Sequence, residues 1–299
     1  VPAKGGIHTF NDFPVSTLRN YIDWTPFFMT WSLSGKYPTI LRHEVVGEEA
    51  QRLFDDANKL LDEIEQTGMI KANGVCGLFP ANNIGDDIEV YTDDSRTEVL
   101  TTLRGLRQQT NKPKGPNYCL SDYIAPKESG KADWVGAFAV TGGIGEYDIA
   151  EQFKAKGDDY SAIMIQAVAD RLAEAFAEYM HKVVRKEIWG YAADEDLGND
   201  DLIREKYQGI RPAPGYPACP EHTEKGEIWK LLDAELNTGM ILTESFAMWP
   251  GAAVSGWYFS HPESRYFAVA QIQADQRDSY AERKGWDLVE AEKWLGPNL

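Results

Sequence analysis

Cysteine is scarce in this chain, with three residues in 299. Cys76, Cys119 and Cys219 are an odd number at wide spacing. That excludes a fully paired disulfide framework and fits a reducing, cytoplasmic setting. Histidine is also sparse. The five copies are scattered, and no Ser/His/Asp order comes with a nucleophile elbow. Positive charge is in short supply, since 30 Lys and Arg face 47 Asp and Glu for a net charge of -17. Phosphate affinity rests on Lys and Arg, so a general nucleic-acid binder is excluded, as is docking on anionic lipid. No apolar run approaches the ~20 residues a bilayer span needs, and no basic-then-apolar leader opens the chain. The first residue is Val1 rather than Met, and a fragment of a longer multidomain chain is expected.

What is present is ordinary for a soluble globular protein: 43% hydrophobic and 26% charged, with nine tryptophans. There is no internal repeat, low-complexity tract or clear linker, so residues 1–299 are expected to form one domain. The opening to about Ile40 reads as irregular, with a short helix near Ser16–Tyr21. Apolar residues from Ala50 to Ile64 recur at helical spacing within 47–66, and Gly68 ends the pattern. Val75–Phe79 and Ile88–Tyr91 read as strands, Thr97–Thr110 as a helix and Trp134–Val140 as a strand. The run Thr141-Gly-Gly-Ile-Gly145 lacks the GxGxxG spacing and any βαβ rhythm, and reads as a turn. The strongest helix starts after Asp158 and Asp159 and runs to about Trp189. Helices follow at Asp200–Glu205 and Lys225–Leu236. Then come strands at Ile241–Glu244, Val254–Ser260 and Tyr266–Ile272, and helices at Asp275–Lys284 and Leu288–Leu295. Grouped strands favour α+β with an antiparallel sheet.

The most informative segment is Arg211-Pro-Ala-Pro-Gly-Tyr216. Arg offers a rigid fork of donors that suits a carboxylate. Pro212 and Pro214 fix φ and leave carbonyl acceptors. Gly215 lets a ligand approach the main chain, and Tyr216 adds a flat face with a polar tip. The segment reads either as a rigid surface loop or as the holder of an amino-acid-like ligand that carries a ring. Asp23, among aromatics, reads as a cap, a buried ion pair or an acceptor for a ligand ammonium. Glu174 shares a helix face with Asp170 and Glu178, which is a solvated stripe or a meeting point for a cation. Tyr266 and Phe267 are core aromatics or a ligand wall facing a ring or a sulfonium. Cys219 and His222 lack a second pair of zinc ligands nearby, and no metal site is expected. The cations from Arg104 to Lys131 form a solvated loop or a face for an acidic partner.

Several blocks together carry a resemblance. They are Tyr207-Gln-Gly-Ile-Arg-Pro-Ala-Pro-Gly-Tyr-Pro-Ala-Cys-Pro-Glu-His-Thr-Glu224, Tyr21-Ile-Asp-Trp-Thr-Pro-Phe-Phe28, Leu78-Phe-Pro-Ala-Asn82, Gly136-Ala-Phe-Ala-Val-Thr141, Thr243-Glu-Ser-Phe-Ala-Met-Trp-Pro-Gly251 and Ser255-Gly-Trp-Tyr-Phe-Ser-His261. Along nearly its whole length the chain resembles the C-terminal activation domain of cobalamin-dependent methionine synthase. The resemblance implies a single α+β unit with a twisted antiparallel sheet, bent into an open shape and unlike the Rossmann-type methyltransferases. It implies binding of S-adenosylmethionine and presentation of its methyl group to cob(II)alamin during reductive methylation. That step reactivates an enzyme whose full cycle moves methyl from methyltetrahydrofolate to homocysteine. The implied partners are the cobalamin-binding module of the same polypeptide and a flavodoxin-like electron donor.

By resemblance, Arg211 holds the ligand carboxylate and Asp23 its amino group. Ala213, Gly215 and Tyr216 contact the adenosine, Tyr266 and Phe267 form a second contact, and Glu174 is peripheral. Such a domain positions its ligand and supplies little acid/base chemistry. No histidine here has Asp two residues before it, as the family's cobalamin module requires. No cysteines are adjacent, as its zinc-binding module requires. Cobalamin and zinc therefore belong to other modules, and this piece alone is not expected to make methionine. A module that senses S-adenosylmethionine without methyl transfer is the alternative.

Overall fold

The fold is organised on two long antiparallel strands. In the computed structural model, which describes residues 1–299, the strands are β1 (Gly6–Phe10), β2 (Lys71–Ile84), β3 (Asp87–Tyr91), β4 (Val99–Leu103), β5 (Asp133–Ile144), β6 (Ile241–Leu242), β7 (Met248–Trp249) and β8 (Ala253–Tyr258). The helices are α1 (Val15–Leu18), α2 (Thr25–Thr30), α3 (Gly47–Thr67), α4 (Glu146–Ala155), α5 (Asp159–Val183), α6 (Asn199–Ile203), α7 (Lys225–Leu232), α8 (Ala234–Thr238), α9 (Ala274–Lys284) and α10 (Leu288–Leu295). The main sheet runs β4-β3-β2-β5-β8. One edge of β2 pairs with β5, and the other takes β1 at Gly74–Leu78 and β3 at Ala81–Ile84. All the strand pairings are antiparallel and the sheet stays open, so the architecture is α+β and not Rossmann-type. β6 and β7 form a separate ribbon.

Both faces of the central strands are covered. In β5, Val135, Ala137 and Ala139 enter one core with Trp257, Ile228 and Leu232 of β8 and α7. Phe138 and Val140 enter the other, with Leu61 of α3 and Leu172, Phe176 and Met180 of α5. Side chains alternate across a strand, so two buried faces make the sequence read as a continuous apolar run. α3 buries Ala50, Leu53, Ala57, Leu61 and Ile64 and ends on Gly68 at φ 63. In α5 the Asp158 carboxylate accepts from the Ser161 amide at 3.0 Å, and a π-turn at Val184–Ile188 carries the helix on to Trp189.

Several expectations need correction. Thr97–Thr110 is not helical. Val99–Leu103 is strand β4, and the chain then crosses in extended form. The Val and Thr residues suit a strand, and a Cβ on Gly105 would lie 2.0 Å from the Asp86 carbonyl. The run Thr141–Ile144 is not a turn but the end of β5, pressed under α5. A Cβ on Gly142 would lie 2.6 Å from the Ala173 amide nitrogen. Only Gly145, at φ 94, turns the chain into α4. Tyr266–Ile272 forms no strand. It lies against the Arg211 segment, with the Val269 amide donating to the Pro217 carbonyl at 2.8 Å. Lys225–Leu236 breaks at Asp233, which sits at φ 46. The opening, expected to be irregular, contains β1 and α2 as well as the short helix at Val15–Tyr21.

The cations between Arg104 and Lys131 do not form a free face. Arg104 and Arg283 both pair with Asp87, Arg107 with Asp86 and Asp122, and Lys127 with Glu89. The segment is a strap that ties the sheet edge to α9, where the Arg107 amide donates to Gln276 at 2.6 Å. Only Lys114 and Lys131 of this group are exposed lysines without an ion pair.

Candidate functional site

The Arg211 segment is laid along the free edge of β8. Ile210 and Phe259 exchange amide hydrogen bonds at 3.0 Å, and the Trp257 amide donates to the Pro212 carbonyl at 2.9 Å. Proline can take part because only its acceptor is used. Gly256 permits the contact, since a Cβ there would lie 2.7 Å from that carbonyl. A tight turn follows, with the Gly215 amide donating to the Cys219 carbonyl at 2.7 Å and the Tyr216 amide to Ala213 at 3.1 Å. Gly215 needs its φ of 92, and a Cβ would meet the His222 ring at 2.5 Å.

This turn forms one wall of a cleft with about 440 Å³ of room. Arg211, Ala213, Gly215, Tyr216, Tyr266, Phe267 and Glu174 all line it. Asp23 lies in an adjoining recess of about 280 Å³, and Arg211 and Glu174 line both spaces. The fold thus brings all eight sequence-identified residues to two neighbouring spaces, from positions up to 244 residues apart. The first space has a flat and largely apolar lining, with a size in the range of small-molecule sites. The second is acidic. Asp23, Glu174, Glu178 and Glu205 face Arg171 and Arg211 there.

Arg211 is the hinge between the two spaces. Its side chain is 16% exposed and pairs with Glu178 at 3.0 Å. Burial works against its charge, but Glu178 and the Tyr207 hydroxyl outweigh that and hold it above the ordinary arginine value. Its backbone amide donates to the Tyr266 hydroxyl at 3.0 Å, so Tyr266 bridges the segment as well as lining the cleft. Tyr216 stays 66% exposed, a ring held out over the opening with no packing partner of its own. The Asp23 carboxylate accepts from the Thr25 amide at 3.1 Å at the start of α2, and is half-buried. It therefore closes a local turn before α2 and also faces the recess. Of the helix stripe, Glu174 is exposed and Glu178 buried, so the stripe is not uniformly solvated.

Sequence reasoning missed part of the lining. His222 was weighed only as a metal ligand, yet its ring lies on Gly215 and lines the cleft. Lys225, Met248 and Ser255 also line it and carried no local signal. Lys225 is turned to the Phe246 carbonyl at 2.6 Å, and burial lowers its pKa.

Comparison with known proteins places this geometry. The family described as the vitamin B12 dependent methionine synthase, activation domain, matches residues 14–285. The chain belongs to that family. A crystal structure of the MetH reactivation domain bound to AdoHcy is 64% identical, with a TM-score of 0.99, and the match covers 100% of this chain and 92% of that one. As an activation domain of a B12-dependent methionine synthase, the chain comes from a methyltransferase system of methionine biosynthesis and cobalamin reactivation. No helix in it is long and apolar enough to cross a membrane.

Proposed function

We propose that residues 1–299 act as one unit that binds S-adenosylmethionine across the two neighbouring spaces and presents its methyl group to cobalt held by the cobalamin module. The observation that carries this reading is the pairing of the two spaces across Arg211. One offers a largely apolar lining, the other is acidic, and the Arg211 guanidinium lines both. S-adenosylmethionine has the matching parts: a purine, an ammonium and a carboxylate, with a sulfonium between. The similar reactivation domain bound to AdoHcy, the demethylated product, supports the same assignment.

In this reading Arg211 holds the carboxylate and Asp23 accepts from the ammonium. The turn from Ala213 to Tyr216 contacts the adenosine, Tyr266 and Phe267 wall the ring and sulfonium, and Glu174 contacts the rim. A sulfonium beside aromatic faces is favoured by the ring quadrupole. Reduced cobalt supplies the nucleophile when the cobalamin module is docked. The residues of this chain bind and aim the methyl donor, and such positioning is worth several kcal/mol when the geometry is good. A flavodoxin-like donor supplies the electron. Cobalamin and zinc are held elsewhere in the full enzyme, in the reducing cytoplasm.

Calorimetric titration with S-adenosylmethionine, with S-adenosylhomocysteine and methionine as controls, tests the site. One-to-one binding lost in Asp23→Ala and Arg211→Ala is the expected outcome, and undiminished binding in both variants removes the assignment. Methyl presentation is tested separately, by restoring the cobalamin module and a reductant and following labelled methyl to cobalt. Binding without transfer there would leave a sensing module.

A further inference from the structure

We propose that Glu178, together with Tyr207 and His181, is the positioning group of the Arg211 fork and sets the preference of the cleft for adenosyl ligands that carry a carboxylate. The inference rests on the ligand reading above and concerns residues behind the cleft rather than its wall. Glu178 and His181 near the end of α5 and Arg185 in the π-turn that follows are all buried, at 7%, 0% and 0% exposure.

A guanidinium has five N–H donors and no acceptor. Arg211 gives three of them to the protein. Nη1 donates to the Tyr207 hydroxyl at 2.9 Å and to His181 Nδ1 at 3.2 Å, and Nη2 donates to Glu178 Oε2 at 3.0 Å. The two donors left over sit on Nε and Nη2, neighbouring nitrogens on one edge of the plane. A carboxylate takes such an edge through two parallel hydrogen bonds. The protein thus takes both donors of Nη1 and one of Nη2, and since Arg211 lines both spaces, the remaining donors are those a ligand carboxylate would meet.

Two of the three holders, Tyr207 and His181, are themselves held. Arg185 lies 4.0 Å from the centre of the Tyr207 ring and pairs with Glu195 at 2.7 Å, so its charge is already matched. The negative charge of Glu178 is therefore left for Arg211. The His181 ring stacks on Tyr258 at 5.1 Å and meets Tyr207 edge-on at 4.8 Å. Burial first, then Arg185 and Arg211, lower its pKa well below the ordinary value, and the neutral ring can accept at Nδ1. A fork fixed in this way has lost its rotamer freedom before any ligand arrives, which favours tight and selective capture.

The test compares S-adenosylmethionine with its decarboxylated form, which keeps the purine, sulfonium and amine. Both are titrated into the full chain as wild type, Glu178→Gln and Tyr207→Phe, with thermal melts to confirm folding. The wild type should prefer the carboxylate-bearing ligand, and each variant should lose roughly tenfold of that preference, with binding of the decarboxylated ligand unchanged. A merely structural role would weaken both ligands alike and leave the ratio intact, and that result overturns the inference. So does tighter S-adenosylmethionine binding in Glu178→Gln, which would make Glu178 a competitor of the ligand. If Glu178→Gln fails to fold, Tyr207→Phe carries the same comparison. A wild type blind to the carboxylate would instead sink the placement of Arg211, and the inference with it.

Discussion

At the scale of single residues, charge and thiol chemistry are both governed by burial. Replacing Arg211 by Ala removes the one cation that lines both spaces and leaves the Glu178 carboxylate buried without its partner. The expected loss in S-adenosylmethionine binding is about 2–4 kcal/mol, larger than for a charge on the rim, and calorimetry on the variant measures it. An unchanged dissociation constant would take Arg211 out of the site. The cysteines are the opposite case, buried groups with no function to explain. Burial pushes Cys76 up to about 12 and Cys119 up to about 11, and Cys219 is raised as well. Only the thiolate reacts, so a thiol reagent at pH 8 should label none of the three in the folded protein and all three after unfolding. Fast labelling of one thiol in the native state would reveal a local opening that the packing does not show.

At the scale of elements, glycine decides how closely the layers approach. Gly142→Ala would drive a methyl group into the backbone of α5 at Ala173, where nothing flexible can give way. The expected cost is about 1–3 kcal/mol in a urea titration. Gly251→Ala, which meets nothing within 4 Å, should be nearly neutral and is the control. A second element-scale contact binds α9 to the stretch that follows the Arg211 turn. Lys284 pairs with Glu224 at 2.7 Å and Glu221 at 3.2 Å, and the Tyr280 hydroxyl donates to Glu221 at 3.0 Å. Burial raises Glu224 to about 7, against the pull of Lys284 and the Arg104 amide. An acid whose folded pKa is raised binds its proton more tightly in the folded state. Its contribution is complete below the unfolded value of about 4.3 and is lost as pH rises toward 7. The stability of the wild type relative to Glu224→Gln should therefore fall by up to about 3 kcal/mol between pH 4.5 and pH 7, then level off. Parallel melting curves of the two proteins across that range would contradict the buried, proton-holding state.

At the scale of the whole molecule, ligand binding and folding are linked. A ligand held by α2, α5, the β8 edge and the 266–267 segment joins parts of the chain that are far apart in sequence. A ligand that binds only the folded state adds about 2.7 kcal/mol at a hundred times its dissociation constant. S-adenosylhomocysteine at that level should raise the melting temperature of the wild type by about 4 °C, and that of Arg211→Ala by no more than about 1.5 °C at the same concentration. An equal rise in both would mean binding elsewhere on the molecule.

The sequence by itself determined the pieces whose signal is local. The helical spacing of Ala50 to Ile64, the cap at Asp158 and the stop at Gly68 need no partner to be read, and the helices stand where the spacing puts them. The residues of the hollow were legible for a different reason. Arg, Pro, Gly and Tyr in one tight run suit a rigid surface loop as well as a ligand holder, and the resemblance pointed to the second and to Asp23, Glu174, Tyr266 and Phe267. What only the tertiary structure decided are the places where one element meets another. The Gly-Gly run at 142–143 looks like a turn until α5 and Ala252 are packed over it, and then its missing side chains are what let β5 continue beneath them. Thr97–Thr110 has no free preference strong enough to resist pairing with β3 on one side and crossing Asp86 on the other. Glu178 looks like its neighbours Asp170 and Glu174 along a helix face, yet it alone of the three is buried against Arg211. A helix's period fixes which residues share a face. Which part of that face is covered depends on a chain segment some 30 residues away, and no local pattern records it.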